Sequence, residues 1–182
     1  MNITRTEFNG LVLLSPKVLG DNRGYFMESF SKKTLKEAGF DFNFVQDNQS
    51  RSGRGVARGL HFQNAPYAQT KLVRVLSGRI LDVVVDLRKS EPTFGKQFSI
   101  ELSAENKMQI LVPRGFAHGF IVLGDQAEIL YKCDEYYMPQ AEGGILFTDP
   151  ALDIPLPGLS QQLVLSEKDK KYPLLKEAKF NF

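Results

Sequence analysis

The sequence predicts an all-β protein, a sandwich or jelly-roll barrel with a few short peripheral helices. From residue 42 onward, short apolar and β-branched runs follow one another, separated by turn signals such as Ser77-Gly78 and Gly124-Asp125. No helical pattern of about 10–15 residues alternates with these runs, which disfavours a parallel α/β sheet. The predicted strands are Phe42–Gln46, Val56–Phe62, Lys71–Leu76, Ile80–Leu87, Gln97–Leu102, Met108–Val112, Phe116–Leu123 and Glu128–Lys132.

The residues before position 42 predict two strands and one helix. Leu11–Leu14 and Tyr25–Phe30 flank the segment Gly20-Asp21-Asn22-Arg23-Gly24, whose glycines and Asx pair favour a tight reversal. A short peripheral helix is predicted to begin at Ser31, a good N-cap residue, and to end before Gly39.

Length and composition indicate an ordinary globular domain. The 182 residues fit one domain over residues 1–182, because single domains commonly hold about 100–200 residues. A net charge of +2 is too small to indicate a nucleic-acid polymer as partner. The single cysteine, Cys133, cannot form an intrachain disulfide, and neither a signal peptide nor an apolar run of membrane-spanning length is present. We therefore expect a cytoplasmic protein without a membrane partner.

The strongest candidate for chemistry is His61, one of only two histidines in the chain. A partly buried histidine can act as a general base near neutral pH, although a lone histidine in a strand is more often a packing residue. Arg58 and Lys71 place two cations near it, which would suit a dianionic substrate. A regular strand would send Arg58 and His61 to opposite faces, so we predict a bulge at Gly59 that re-aims one of them.

Two carboxylates break the apolar pattern of the strand Ile80–Leu87. Asp82 and Asp86 share one face of that strand with Ile80 and Val84. Carboxylates on a covered face would need partners, and the simpler interpretation is that this face is solvated.

The second histidine lies in a recognisable motif. Residues Pro113 to His118 have the Pro-x-Gly-x-x-His form of the second motif of cupin barrels. A site of three histidines is impossible with two in the chain, so we favour a barrel without metal. A mixed site of His61, His118 and a carboxylate stays open as the alternative.

Three further segments predict local structure only. Residues Pro155-Leu156-Pro157-Gly158 are predicted to be irregular, and Ser50-Arg51-Ser52-Gly53-Arg54-Gly55 a solvated basic turn. Ser166 followed by Asp169 is a capping-box pattern at a helix N-terminus.

Several motifs occur in one order along almost the whole chain. They are Asp21-Asn22-Arg23-Gly24, Glu28, Gln46-Asp47-Asn48, Arg58-Gly59-Leu60-His61-Phe62-Gln63, Lys71, Pro113 to His118, Tyr131 and Ser166-Glu167-Lys168-Asp169. With these motifs the chain resembles the dTDP-4-dehydrorhamnose 3,5-epimerase family. The resemblance implies a cupin-like jelly roll, assembled as a homodimer, that acts on dTDP-4-dehydro-6-deoxy-D-glucose without a metal or an organic cofactor.

The resemblance also implies four catalytic residues. His61 would be the base, and Asp169 would orient its ring and stabilise the imidazolium. Lys71 would stabilise the oxyanion that develops at C4 of the sugar. Tyr131 would be the acid that delivers a proton to the opposite face.

By the same resemblance, a second group of residues would bind the substrate. These residues are Arg23, Glu28, Gln46, Asp47, Asn48, Arg58, His118, Tyr137, Glu142 and Lys168. Tyr137 would stack on the thymine ring, and strand parity would place Asp82 near His61. Two alternatives stay open: an epimerase of a single centre, and a non-catalytic sugar- or metal-binding cupin.

Overall fold

Short antiparallel strands are the main regular structure of the computed structural model, which describes residues 1–156 and 163–182. The strands are β1 Asn2–Arg5, β2 Val12–Ser15, β3 Val18–Asp21, β4 Gly24–Met27, β5 Gln46–Gly53, β6 Ala57–Gln63, β7 Lys71–Ser77, β8 Arg79–Asp86, β9 Gln97–Ser103, β10 Gln109–Val112, β11 Phe116–Val122, β12 Gln126–Cys133 and β13 Glu142–Gly144. The α-helix α1 is Lys32–Glu37, and single 3₁₀ turns occur at Pro139–Ala141, Pro150–Leu152, Asp169–Lys171 and Leu175–Glu177.

Two sheets face each other and form a jelly-roll barrel. One has six strands in the order β1-β2-β10-β7-β12-β5, the other has five in the order β13-β6-β11-β8-β9, and β3 and β4 form a separate hairpin. Buried side chains from both sheets meet between them, including Val73 of β7, Val84 of β8 and Phe120 of β11. The predicted all-β class is confirmed.

Other parts of the chain cover the outer face of the five-stranded sheet and part of the outer face of the six-stranded sheet. Leu81, Val83 and Val85 of β8 pack under the C-terminal tail, which contributes Leu165 and Phe182. On the six-stranded sheet, a second apolar cluster holds Leu35 of α1 together with residues of β2 and β7. Ser31 caps α1 as predicted, since its Oγ accepts a hydrogen bond from the Thr34 N–H at 3.2 Å.

Most predicted strands are confirmed, but the region from 42 to 53 was assigned wrongly. Of the predicted strand Phe42–Gln46, only Gln46 is in a strand, as the first residue of β5. Phe42 and Phe44 instead pack against the apolar cluster outside the six-stranded sheet. The first four residues of the predicted basic turn Ser50–Gly55 lie within β5, which pairs along its length with β12, and only Arg54 and Gly55 form a turn. This strand lies at the edge of its sheet, so a polar sequence without an apolar face suffices to form it. Strands β1, β3 and β13 were not predicted.

A backbone irregularity at Gly59 is confirmed. The pairing of β6 with β11 shifts register near Gly59, whose φ is +116°. A side chain there would bring its Cβ within 2.6 Å of the Gly119 Cα atom, so only glycine fits. As a result, Arg58 and His61 line the same cavity, although a regular strand would place residues three positions apart on opposite faces.

The predicted solvated face of β8 is wrong. Asp82 and Asp86 are both fully buried, because their face points into the barrel and the opposite face lies under the tail. Asp86 is paired with Arg88, whose Nη2 lies 2.7 Å from its Oδ2, and it accepts a hydrogen bond from Thr93 at 2.6 Å. The irregular stretch predicted at 155–158 lies partly outside the described residues.

Replacing Asp86 by alanine is expected to lower the free energy of unfolding by about 3–5 kcal/mol, because it leaves the mostly buried Arg88 guanidinium without its partner. Burial raises the pKa of Asp86, but hydrogen bonds from Arg88 and Thr93 outweigh it and hold that pKa below its usual value. The stability that Asp86 contributes is therefore present above about pH 4 and is lost as the pH falls through the lowered folded-state pKa.

Urea denaturation measures this effect, with the exposed Asp125→Ala as the matched control. A loss no larger than that of the control, expected within about 0.5 kcal/mol, would contradict the assignment.

Candidate active site

The barrel interior opens into two adjoining cavities of about 410 and 230 Å³. His61, Lys71 and Tyr131 line both of them. His61 lies on β6 of the five-stranded sheet, whereas Lys71 and Tyr131 lie on β7 and β12 of the six-stranded sheet. The predicted catalytic side chains therefore reach one space from two facing walls.

A histidine–carboxylate pair lies at the edge of the larger cavity. His61 Nε2 is 2.7 Å from Asp169 Oδ1, and the Asp169 side chain is only 6% exposed. Asp169 stands in the 3₁₀ turn Asp169–Lys171, and its N–H donates to Ser166 Oγ at 3.0 Å. The capping pattern thus fixes the backbone of Asp169 while its carboxylate is free to hold the imidazole.

The environment of His61 favours the neutral imidazole. Burial lowers its pKa, against the opposing effect of the hydrogen bond to Asp169. With Nε2–H donated to the carboxylate, the lone pair is on Nδ1. A neutral imidazole held in one tautomer can accept a proton from a substrate.

The opposite wall carries an ammonium and a phenol. Burial lowers the pKa of Lys71, against the opposing charges of neighbours that include Asp82 and Glu142. Within residues 1–156 and 163–182, Lys71 forms no salt bridge, so its amino group can contact a polar or anionic group of a ligand. Burial raises the pKa of Tyr131, which keeps the phenol protonated and able to donate.

Three of the predicted binding residues form one hydrogen-bonded network. Glu142 Oε2 accepts hydrogen bonds from Tyr137 Oη at 2.7 Å and from Lys168 Nζ at 2.6 Å. Burial raises the pKa of Glu142, but these two bonds outweigh it and lower the pKa overall. The network joins strand β13, the loop before it and the tail around the smaller cavity.

Three more predicted binding residues line the cavities. Arg58 donates from Nε to Ser52 Oγ at 3.0 Å and lines the larger cavity. Gln46 and Asn48 of β5 line the smaller one, and Gln46 Nε2 donates to Asn48 Oδ1 at 3.0 Å. Polar groups thus extend from the catalytic pair along the open edge of the barrel.

Comparison with known proteins identifies the family. The family model for dTDP-4-dehydrorhamnose 3,5-epimerase matches residues 5–177. The chain belongs to this family. The predicted resemblance is thereby confirmed, and with it the enzyme class, a carbohydrate epimerase of cupin-like jelly-roll fold.

Individual relatives of the epimerase family agree with this result. The dTDP-4-dehydrorhamnose 3,5-epimerase of Shigella flexneri is 52% identical over 170 residues, covering 93% of each chain. A crystal structure of dTDP-6-deoxy-D-glucose-3,5-epimerase from Legionella pneumophila in complex with dTDP-4-keto-L-rhamnose superimposes with a TM-score of 0.92, at 48% identity over 97% of this chain and 93% of that one. A 3'-monoepimerase from Streptomyces bikiniensis in complex with dTDP-quinovose gives 0.89, at 32% identity over 94% and 86%.

His118 has a buried carboxylate partner of its own in this epimerase. Its Nε2 lies 2.9 Å from Asp82 Oδ2, and the other oxygen of Asp82 is buried without a hydrogen-bond partner among the described residues. His118 and His61 are cross-strand neighbours on β11 and β6. Asp82 therefore points inward, as strand parity indicates, but it bonds to His118 and makes no hydrogen bond to His61.

Three of the binding residues implied by the epimerase family do not line the cavities of this chain. Asp47 points to the outer face of β5 and pairs with Lys132 Nζ at 3.0 Å. Arg23 pairs with Asp21 in the β3–β4 hairpin, and Glu28 is exposed just after it. Within the described residues, neither cavity is lined by any of the three.

Two residues near the epimerase site were missed by the sequence reasoning. Buried Gln63 donates to the Tyr136 carbonyl at 3.1 Å and accepts from the Met138 N–H at 2.7 Å, so it fixes the loop that carries Tyr137. Tyr172 packs against the His61 ring. The sequence places Tyr172 only three residues after Asp169, in the same tail segment. That spacing could have indicated that Tyr172 also lies near His61.

The described residues of this epimerase hold no group of three or more His, Cys, Asp or Glu side chains arranged for a metal ion. Among the same residues, no helix is both long and apolar enough to span a bilayer.

Proposed function

We propose that the chain is a dTDP-4-dehydrorhamnose 3,5-epimerase that converts dTDP-4-dehydro-6-deoxy-D-glucose to dTDP-4-dehydro-L-rhamnose. The observation that carries the proposal is the placement of the His61–Asp169 pair and of Tyr131 on facing walls of one cavity, with Lys71 beside them. The Legionella pneumophila relative, bound to dTDP-4-keto-L-rhamnose, supports the same substrate class.

The chemistry follows from the C4 ketone of the substrate. A proton on C3 or C5 is acidic because its removal leaves an enolate delocalised onto the C4 oxygen. His61 takes the proton and becomes an imidazolium that Asp169 stabilises. Lys71 stabilises the oxyanion, and Tyr131 returns a proton to the same carbon from the opposite face, which inverts it.

The nucleotide part of the substrate is assigned to Arg58, which lines the larger cavity, and to the polar groups around the smaller one. Arg58 is suited to bidentate pairing with the diphosphate. Gln46, Asn48 and the network around Glu142 offer donors and acceptors at the cavity edge, where Tyr137 exposes its ring for stacking.

The main alternative is inversion of one carbon only. The 3'-monoepimerase of Streptomyces bikiniensis shares the fold at a TM-score of 0.89. The fold therefore does not determine how many centres are inverted, and the number has to be measured.

The deciding experiment is incubation of dTDP-4-dehydro-6-deoxy-D-glucose with the protein in heavy water. Reduction of the product and mass spectrometry then locate the deuterium and fix the stereocentres. Deuterium at both C3 and C5, with formation of the L-sugar, is the expected result. Exchange at one carbon would establish the single-centre epimerase, and no exchange would overturn the catalytic proposal in favour of a non-catalytic binding cupin.

We also propose a homodimer. The β3–β4 hairpin exposes four large apolar side chains, namely Val18, Leu19, Tyr25 and Phe26, of which Phe26 is 69% exposed. An apolar surface of this kind on a protruding hairpin suits burial against a second copy. Sedimentation equilibrium is expected to give twice the monomer mass, and a monomer at micromolar concentration would overturn the proposal.

The single-domain organisation and the cytoplasmic location stay predictions.

A further inference from the structure

Tyr172 is an aromatic neighbour of the proposed base that no step above uses. The ring centroids of Tyr172 and His61 lie 5.5 Å apart, with their planes inclined at 65°. This edge-to-face geometry is favourable for aromatic pairs. Tyr172 is half-buried, so much of its ring is fixed by the protein.

A glycine opposite His61 makes room for this ring. Gly144 on β13 is the cross-strand partner of His61 on β6. A Cβ atom at Gly144 would lie 2.5 Å from two carbons of the Tyr172 ring, far inside van der Waals contact. The backbone beside His61 therefore forms a slot that the tyrosine ring fills.

The tail segment that carries Tyr172 also carries Asp169. The Tyr172 N–H donates to the Asp169 carbonyl at 3.4 Å, and the Pro173 carbonyl accepts from the Leu146 N–H at 2.8 Å, which ties the segment to the residues after β13. The Tyr172 hydroxyl approaches Glu142 Oε1 at 3.4 Å, a long hydrogen bond. One short segment thus reaches the His61 ring twice, by a carboxylate at Nε2 and by an aromatic ring.

We propose that Tyr172 is a positioning residue for the epimerisation: its ring, seated in the slot at Gly144, holds the His61 imidazole in the orientation that presents Nδ1 to the substrate. Asp169 alone fixes one nitrogen and leaves the ring free to turn about that hydrogen bond. The aromatic contact removes this freedom. The inference rests on the proposed role of His61 as base.

The ring of Tyr172 also keeps water from His61. The titratable and charged groups nearest His61 are Asp169 in the tail, Lys71 on β7, Glu142 on β13 and His118 on β11. Arg58, Tyr131 and Lys168 line the same cavity. Burial is the largest effect on the pKa of His61 and lowers it. Removing the aromatic ring admits water, so the His61 pKa is expected to rise towards its ordinary value.

The test compares Tyr172→Ala with Tyr172→Phe, which keeps the ring and loses only the hydroxyl. In the alanine variant, kcat is expected to fall about 3–10-fold with KM within about twofold, the range that loss of an aromatic contact allows. The acidic limb of its kcat/KM profile moves to higher pH. The phenylalanine variant retains kcat within about twofold of the unchanged protein. Tyr67→Ala, at a partly exposed tyrosine outside both cavities, is the matched control.

Histidine NMR provides a readout that does not depend on turnover. With two histidines in the chain, a His118→Asn variant suffices to assign the His61 signals. Loss of the Tyr172 ring current should shift the His61 ring protons in Tyr172→Ala but not in Tyr172→Phe. If Tyr172→Ala unfolds, Tyr172→Leu keeps most of the volume without an aromatic ring and is expected to show the same shifts.

Two results would overturn the inference. One is unchanged kcat and unchanged His61 signals in Tyr172→Ala; the other is equal loss of kcat in Tyr172→Phe, which would assign the effect to the hydroxyl. Failure of the proposed epimerase function would give a different result from failure of the positioning role. The unchanged protein would then catalyse no deuterium exchange into the substrate, while the NMR signals of His61 would still shift in Tyr172→Ala.

Discussion

Replacing His61 by alanine is expected to remove nearly all turnover, with a fall in kcat of about 10²–10⁴-fold, the contribution of a positioned general base. The enolate cannot form at a useful rate without a group that accepts the carbon-bound proton. Steady-state kinetics with dTDP-4-dehydro-6-deoxy-D-glucose measures the loss. Retention of substantial turnover would overturn the assignment of His61 as base.

Folding of this variant is the necessary control, since the chain has no third histidine to mutate in parallel. The His61 side chain is 31% exposed and lies outside the apolar clusters, so the thermal unfolding temperature should change little.

The pH dependence of the unchanged protein provides a second test of His61 as base. Burial holds the His61 pKa below about 6.5, so kcat/KM should fall only as the pH drops through that lowered value and the imidazole gains a proton.

Replacing Lys71 by methionine is expected to lower kcat by about 10²–10³-fold, the effect of losing one donor to a developing oxyanion. Methionine keeps the length and apolar character of the side chain, so the cavity wall on β7 is preserved. The loss should appear in kcat as well as kcat/KM, because the negative charge on the C4 oxygen exists only after the proton leaves.

Lys96→Met is the matched control, since Lys96 is exposed and lines neither cavity. It is expected to leave both kinetic parameters unchanged. A Lys71→Met variant with raised KM and unaltered kcat would mean that Lys71 binds the substrate and the enolate equally well, contrary to the proposed role.

The sequence predicted the barrel because strands between two covered layers carry strong apolar patterns. It failed at β5, where an edge strand needs no apolar face, and Phe42 and Phe44 supplied a false signal just before it. It also left the surroundings of Asp82 and Asp86 undecided, because alternation shows which residues share a face but not whether that face is covered. Only the packing of the tail and the facing sheet decides that question.

The candidate site could be assembled from sequence only through the family resemblance. Periodicity gave the shift at Gly59 that brings Arg58 and His61 together. The pairing of His61 with Asp169 joins residues 108 positions apart, and no local pattern encodes it. Taken alone, Ser166 and Asp169 indicated a helix cap. In the structure Ser166 Oγ accepts a hydrogen bond from the Asp169 N–H, but the N-cap position of the 3₁₀ turn is Lys168, which makes no side-chain capping bond.

The tail that covers the five-stranded sheet links catalysis to the order of folding. Its apolar side chains, such as Leu165 and Phe182, pack on a sheet that must already exist to receive them. The same tail brings Asp169 to His61 across 108 residues of sequence, and closing so long a loop costs entropy that is recovered only once the tail can pack on the sheet. We therefore expect a newly made chain to form its barrel before His61 meets Asp169, so that the proposed catalytic pair is completed late in folding.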